Sequence, residues 1–183
     1  MKKKNPVVKL VESQEWLEPV GEKSDALVKS ALASTGETGE TARDALVNSR
    51  LLGHKRHPAI TDVPFGSWTV TLVSDILEAS GHHQFSEGSD TALGVGLAAS
   101  LIASAGGLAD LSETEDHADR RLGTMHGILQ GIATLLYGGS FIARRCNNRA
   151  LGRGFSFAGY GAVIAASYLA AELAKRREAS GTD

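Results

Sequence analysis

Residues 52–80 read LGHKRHPAITDVPFGSWTVTLVSDILEAS, a basic and His-rich start followed by an apolar run. The apolar run still carries two acids, Asp75 and Glu78. This pattern fits a buried helix of a soluble enzyme with a metal site. It also fits the first span of a membrane protein that keeps ionisable groups within its helices. The rest of the chain decides between these two interpretations.

Three later windows contain no charged residue: residues 91–109, 122–143 and 154–171, with lengths of 19, 22 and 18 residues. About 20 apolar residues are needed to cross ~30 Å of hydrocarbon, so the first two windows are long enough and the third is borderline. A soluble helix bundle would carry Lys or Glu on its outward faces. These windows carry Ser, Thr, Gly and Ala instead. Together with residues 63–80 they predict an all-α fold, a four-helix transmembrane bundle.

The charge distribution predicts three parts along the chain. Residues 1–53 form a polar cytoplasmic extension of short amphipathic helices, which either lies on a membrane surface, packs under the bundle or is a solvated segment. Residues 54–174 form the membrane domain, and residues 175–183 form a tail with a basic start. The predicted spans are about 60–80, 91–110, 122–143 and 154–172.

Composition argues against several functional classes. A formal net charge of −2 argues against a nucleic-acid-binding protein. The single Cys146 excludes an intramolecular disulfide, a CxxC pair and any all-Cys metal or iron–sulfur site. The sequence shows no Walker loop, GxSxG, HExxH or dinucleotide fingerprint and no nucleophile–base pair. An enzyme acting on a soluble substrate is therefore the least favoured class. No cleavable signal peptide is visible at the N-terminus.

Basic residues predict the orientation. Ten of the 19 Lys and Arg residues precede His57, and three more, Lys175, Arg176 and Arg177, follow the last window. Four spans place both termini on one side of the membrane, so the positive-inside rule predicts that both are cytoplasmic. The third loop, RRCNNRALGR at residues 144–153, is an exception because its four Arg residues would face outward.

Ionisable residues within membrane spans are expensive and mark functional sites by default. At ~1.5 Å per helical residue, polar residues from all four helices are predicted to meet at the cytoplasmic end of the bundle. Asp75 lies roughly 20 Å further along the first helix, near His82 and His83. The cytoplasmic cluster would position a haem, a metal ion or a quinone headgroup, or pass protons. Its predicted members are the candidate cofactor ligands His54, His57, Asp62, Asp110 and His126, together with Tyr168 and Glu172.

Each of these residues also has a simpler explanation. Asp62 and Asp110 could be ordinary helix-end residues, with Asp62 as a cap. His57 could fix a turn or meet lipid headgroups, and His126 could form a hydrogen bond to a neighbouring helix. Asp75 needs a partner or a proton, because an unpaired carboxylate inside a span is costly. Glu78 is expected to be solvated. On this alternative, the polar groups only specify helix packing.

The opening stretch resembles the signature of DUF2231, a family of uncharacterised bacterial membrane proteins. Members typically show Leu-Gly-His, then His-Pro, Asp-x-Pro-x-Gly and a later Asp in the first helix. Three further segments, GGLAD (106–110), HGILQGIATLLY (126–137) and GYGAVIAASYLAAEL (159–173), resemble the other helices, so the likeness covers roughly residues 50–174. The matching residues of the signature are His54, His57, Pro58, Asp62, Pro64, Gly66 and Asp75.

Some members of this family are fused to a Rieske iron–sulfur domain, and the segment EWLEPV near the N-terminus resembles their leader. With one Cys, this sequence cannot bind a Rieske cluster itself. Ala170 and Ala171 also replace a pair that is often Gly-Gly. The resemblance implies a four-helix protein of the bacterial inner membrane that is linked to electron transfer.

Three functions remain open at this point. The first is a non-catalytic anchor or subunit of a membrane redox system, with a Rieske-type or cytochrome protein as partner. The second is a structural or interaction membrane protein whose polar residues specify helix packing. The third is a small proton or solute transporter, with Asp75 as the group on the far side. In each case lipid is a partner, and small-residue faces such as Gly127 and Gly131 suit a homo-oligomer.

Overall fold

The described part of the chain is helical and contains no strand, which confirms the all-α class. The helices are Pro6–Glu12 (α1), His57–Ala79 (α2), Ser86–Ser112 (α3), His117–Arg145 (α4) and Arg149–Ser180 (α5), and residues 17–24 are also helical. The computed structural model describes residues 5–24, 26, 27, 30, 57–112, 114 and 116–180, without the side chains at 57–61, 109, 110, 112 and 177–180.

The chain divides into two compact units. Unit 1 contains Met1–Lys55, Ala105–Leu129 and Ala165–Asp183, and unit 2 contains Arg56–Ser104 and Gln130–Ile164. Helices α3, α4 and α5 each contribute one part to each unit.

Unit 2 is centred on a stacked aromatic pair. The rings of Trp68 on α2 and Tyr137 on α4 lie 4.3 Å apart at an angle of 10°, and both side chains are fully buried. A Cβ at Gly96 on α3 would lie 2.4 Å from Trp68 Nε1, so α3 packs this closely only because glycine has no side chain. All four long helices contribute to this core, whose other buried members are Leu93, Ala133 and Val163.

Unit 1 is built on the docking of the N-terminal residues. Val8, Val11 and Leu17 are buried together with Leu122 from α4 and Leu169 from α5. Burying apolar area of this kind stabilises the arrangement by about 25 cal/mol per Å². The described part of the N-terminal extension therefore packs against the long helices, as one of the three alternatives predicted.

Two tight turns terminate helices in unit 2. Gly81 adopts a positive φ of 97° just after α2, and Asn147 adopts a φ of 59° just after α4, the left-handed geometry that commonly ends a helix. Asn148 N donates to Ala143 O at 2.9 Å, which completes the end of α4. The Asn148 side chain then accepts from Leu151 N at 3.2 Å and caps α5. Three residues are therefore enough to connect α4 to α5.

The helices extend beyond the charge-free windows. Charged residues such as Glu and Arg are good helix formers, so the end of an apolar window does not end the helix. Pro64, which the window of residues 63–80 would place in the first helical turn, lies inside α2 because that helix already begins at His57. Three helices begin five residues before the predicted spans or windows: Ser86 against 91, His117 against 122 and Arg149 against 154.

Candidate functional site

Arg144, near the end of α4, is the most highly coordinated side chain of unit 2. It is 3% exposed. A guanidinium group has five N–H donors, and here all five are used. Nε donates to Ser140 Oγ (3.1 Å), Nη1 donates to Ser89 Oγ (2.7 Å) and Asp90 Oδ1 (2.9 Å), and Nη2 donates to Asp75 Oδ2 (2.6 Å) and Ser156 Oγ (3.0 Å).

Asp75 has the partner that its sequence position requires. The side chain is fully buried, with Oδ2 accepting from Arg144 and Oδ1 accepting from Ser89 Oγ at 2.6 Å. An ionised carboxylate in a low-dielectric interior needs both an opposite charge and hydrogen-bond donors. Asp75 receives both, whereas His82 and His83, its predicted neighbours, are exposed.

Glu78 is also buried, so the expectation that it is solvated was wrong. Arg149 Nε and Nη2 donate to its two carboxylate oxygens at 2.8 and 2.7 Å, a bidentate pair. Arg153 Nη1 donates to Glu78 Oε1 at 2.8 Å, and Arg149 Nη1 donates to Asp90 Oδ2 at 2.9 Å. The six residues Asp75, Glu78, Asp90, Arg144, Arg149 and Arg153 form what we call the arginine–carboxylate network, in which three positive charges balance three negative ones.

Helical spacing and one glycine position this network. Asp75 and Glu78 are three residues apart near the end of α2, and Arg149 and Arg153 are four apart at the start of α5, so each pair shares a helix face. A Cβ at Gly152 would lie 2.7 Å from Arg144 Cγ, so this glycine leaves room for the buried side chain. The network therefore joins the end of α2, the start of α3, the end of α4 and the start of α5.

The network holds neighbouring helix ends together through ion pairs and hydrogen bonds. Every carboxylate in it accepts from at least one arginine, and the central arginine has used all its donors. A buried polar network that is fully satisfied rigidifies a core and specifies its packing. A ligand or a moving proton would first have to break these bonds, so the geometry favours a structural role.

The residues predicted to bind a cofactor are described only in part. His54 lies outside the described residues, and so do the side chains of His57, the first residue of α2, and Asp110 in α3. Asp62 is exposed on α2. Within the described residues, no group of three or more His, Cys, Asp or Glu side chains is placed to hold a metal ion. The cofactor site stays a prediction.

His126 forms a hydrogen bond to a neighbouring helix, which was the alternative to its role as a cofactor ligand. Its Nδ1 lies 2.9 Å from Ala166 O on α5, and because a carbonyl only accepts, the ring donates from Nδ1. Tyr168 is exposed on α5. Glu172 lies 3.8 Å from Lys175 Nζ, an ion pair within one helix.

A second set of ion pairs fastens the N-terminal residues within unit 1. Arg121 Nη1 donates to the Glu12 carbonyl at 2.6 Å, and Nη2 donates to Glu18 Oε2 at 2.7 Å. His117 also contacts the Glu18 carboxylate, and Arg176 contacts the Glu12 carboxylate. The guanidinium of Arg121, and then His117, hold the pKa of Glu18 below its ordinary value.

Sequence reasoning missed Arg144, Arg149 and Arg153 as partners of the acids. Two anomalies in the sequence nevertheless pointed to them. Asp75 was an acid without a partner, and residues 144–153 were an arginine-rich loop that the predicted topology placed on the outer side, where basic residues are expected to be scarce. In a four-helix topology both anomalies fall on the same side, so each explains the other.

Two of the described helices are long and apolar enough to cross a membrane by length and composition, over His83–Leu108 and Arg149–Arg176. The described residues of α2 and α4, which were also predicted to be spans, do not meet the same measure. A family model for DUF2231, described as a predicted membrane protein, matches residues 53–178. Searches of curated proteins and of solved structures gave no significant match. The family match covers more than half of the chain and confirms the family that the resemblance of the opening stretch predicted. Its range includes the whole arginine–carboxylate network. The chain therefore belongs to the DUF2231 family of predicted membrane proteins.

Proposed function

We propose that this chain is an integral membrane protein in which α2, α3, α4 and α5 all cross the bilayer, and that it serves as a structural anchor or interaction domain. The observation that carries the proposal is the distribution of side chains in unit 2. Each long helix has a large apolar side chain more than half exposed and a polar one buried. The exposed residues are Val70, Ile102, Leu135 and Ile164, and the buried ones are Thr71, Ser100, Ser140 and Ser156.

Lipid is the solvent that suits this distribution. In water, exposed apolar side chains on every helix would form patches that favour aggregation. In a bilayer, helices associate through small residues and interhelical hydrogen bonds, because lipid tails are as apolar as leucine. The bond between Ser140 Oγ and Ser156 Oγ at 2.9 Å is of this kind. In α2, the polar residues Ser74, Asp75 and Glu78 are buried, so they lower the mean hydropathy of this helix without making its outward face polar.

The arginine–carboxylate network supports four crossings. It joins the end of α2 to the start of α3 and the end of α4 to the start of α5, so residues 80–85 and 146–148 belong on the same side of the membrane. A chain in which only α3 and α5 cross would place these two turns on opposite sides. Three of the four arginines in residues 144–153 pair with acids, which removes the objection that the positive-inside rule raises against this loop.

Thiol labelling tests this topology, because the only Cys of the chain, Cys146, is exposed on the turn between α4 and α5. We would compare the native chain with Gln84→Cys and Glu15→Cys, both in a Cys146→Ser background and both at exposed positions. A membrane-impermeant maleimide is applied to intact spheroplasts and again after permeabilisation. Four crossings with cytoplasmic termini predict that Cys146 and Gln84→Cys react in intact spheroplasts and that Glu15→Cys reacts only after permeabilisation. Labelling of positions 84 and 146 from opposite sides would refute four crossings.

A cofactor-binding subunit of a membrane redox system is a second candidate, supported by one observation. The bond from His126 Nδ1 to Ala166 O leaves Nε2 as the acceptor nitrogen, and histidines that ligate metals commonly donate their other nitrogen to a carbonyl. The test is the absorption spectrum and metal content of the detergent-purified protein. His126→Ala is compared with the exposed control His83→Ala. Equal metal content in both variants, with no Soret band after expression with haem, would remove this candidate.

A further inference from the structure

The N-terminal residues are apolar on two sides. Val8, Val11 and Leu17 are buried against the rest of unit 1. On the outer side, three large apolar side chains, Val7, Leu10 and Trp16, are roughly half exposed or more. Charged side chains, among them Lys9 and Glu15, are exposed beside these three apolar ones. Such a mixed surface suits the boundary between lipid and water, where apolar side chains enter the membrane and charged ones meet the headgroups and water.

The contacts of residues 5–24 with α4 and α5 show where this segment lies relative to the charge-free windows of those helices. Its buried side contacts Leu122 and Leu169, which lie at the ends of the charge-free windows of α4 and α5. The acids of the segment, by contrast, bind arginines just outside those windows: Glu18 binds Arg121, and Glu12 binds Arg176. Its apolar residues thus lie level with the last apolar turns, and its acids lie level with the first charged residues.

We propose that residues 5–24 lie in the membrane–water interface, with Val7, Leu10 and Trp16 inserted at the boundary between lipid headgroups and acyl chains. This inference rests on the proposed crossing of α4 and α5. An interfacial helix buries its apolar side by ~5–10 Å in this boundary. The segment then covers the end of the bundle on one side and holds the lipid surface with the other.

Two further observations agree with a lipid surface as the partner. Tyr168, also in unit 1, is an exposed aromatic residue near the end of its apolar window, and Trp and Tyr are enriched at both membrane interfaces. Trp16 keeps its Nε1 satisfied by Gln14 Oε1 at 3.2 Å, which leaves its ring free for an apolar contact. Lys9 is exposed between Val7 and Leu10, where its ammonium group can reach lipid phosphates.

Fluorescence quenching by brominated lipid tests the proposal. The chain has two tryptophans, and Trp68→Phe leaves Trp16 as the only one, whose emission is observed by selective excitation of tryptophan. The full chain is reconstituted into vesicles of phosphatidylcholine, with or without bromine at carbons 6 and 7 of one acyl chain. Because interfacial insertion buries the apolar side of the segment by ~5–10 Å in the headgroup–acyl boundary, the indole comes near these carbons, so brominated vesicles should lower the Trp16 emission about twofold and aqueous iodide should quench it little. Leu10→Glu should reduce the effect of the brominated lipid.

An emission that is equal in both kinds of vesicle and strongly quenched by iodide would overturn the proposal. Should Trp68→Phe disturb the core, subtracting the emission of Trp16→Phe from that of the native chain gives the same quantity. Failure here leaves the thiol-labelling result unchanged, because labelling reports only which side each turn occupies. Failure of four crossings would appear in the labelling at positions 84 and 146.

Discussion

Arg144→Ala removes the guanidinium that bonds to five side chains and leaves Asp75 buried without its charge partner. Breaking a buried ion pair by removing one partner costs about 3–5 kcal/mol, because the remaining charge stays in a low-dielectric site. We expect a loss of that size in the free energy of unfolding. The neighbouring Arg145→Ala is the matched control, since Arg145 is exposed and lies 4.8 Å from the centroid of the Phe141 ring. An exposed cation–π contact of this kind contributes about 0.5–1 kcal/mol.

The assay is reversible unfolding by sodium dodecyl sulfate in mixed micelles, followed by circular dichroism. Asp75→Leu combined with Arg144→Met removes both charges and should recover most of the loss, because an apolar pair of similar volume is often neutral relative to a buried ion pair. Ser140 and Ser156 keep their mutual bond in this double variant. Equal losses for Arg144→Ala and Arg145→Ala would refute the view that the network holds the helix ends together.

Two other perturbations address the core and the N-terminal docking. Gly96→Ala places a Cβ 2.4 Å from Trp68 Nε1 and should cost about 1–3 kcal/mol in the same unfolding assay. The control is Gly94→Ala, where the described residues leave open space around the added Cβ, so the free energy of unfolding should change by no more than about 1 kcal/mol. Similar losses for Gly96→Ala and Gly94→Ala would contradict the close packing of α3 against Trp68. The pKa of Glu18 is lowered in the folded state, so its stabilising contribution is present above the ordinary carboxyl pKa of about 4.3 and is lost as the pH falls through the folded value. In the Trp68→Phe chain, acid titration of the Trp16 emission should therefore show the N-terminal residues leaving the rest of unit 1, and Glu18→Gln should weaken this transition. Identical titrations of the two chains would argue against this ion pair.

The glycines show that a local sequence pattern does not predict where helices pack closely. The GxxxG motif of Gly127 and Gly131 predicted close helix packing, yet among the described residues no atom lies within 4 Å of a Cβ built at either position. Close approaches occur at other glycines instead, among them Gly96, Gly123 and Gly152. A glycine permits contact only where another helix arrives, and that depends on how the helices are arranged. A homo-oligomer through the open faces stays a prediction.

The sequence by itself determined the helical class, the approximate position of four helices, the family and the need of Asp75 for a partner. The family came from the resemblance of the opening stretch to its signature. The other conclusions follow from apolar windows and from the cost of an unpaired carboxylate, which depend on neighbouring residues and on burial alone. Helix ends were less certain, because charged residues extend a helix as readily as apolar ones. Only the tertiary structure decided that Arg144 is the partner and that Glu78 is buried. The Asp75–Arg144 contact spans 69 residues of chain, and no local periodicity encodes which of several arginines will reach a given acid. That choice depends on which helix ends meet and on a glycine that leaves space for the side chain.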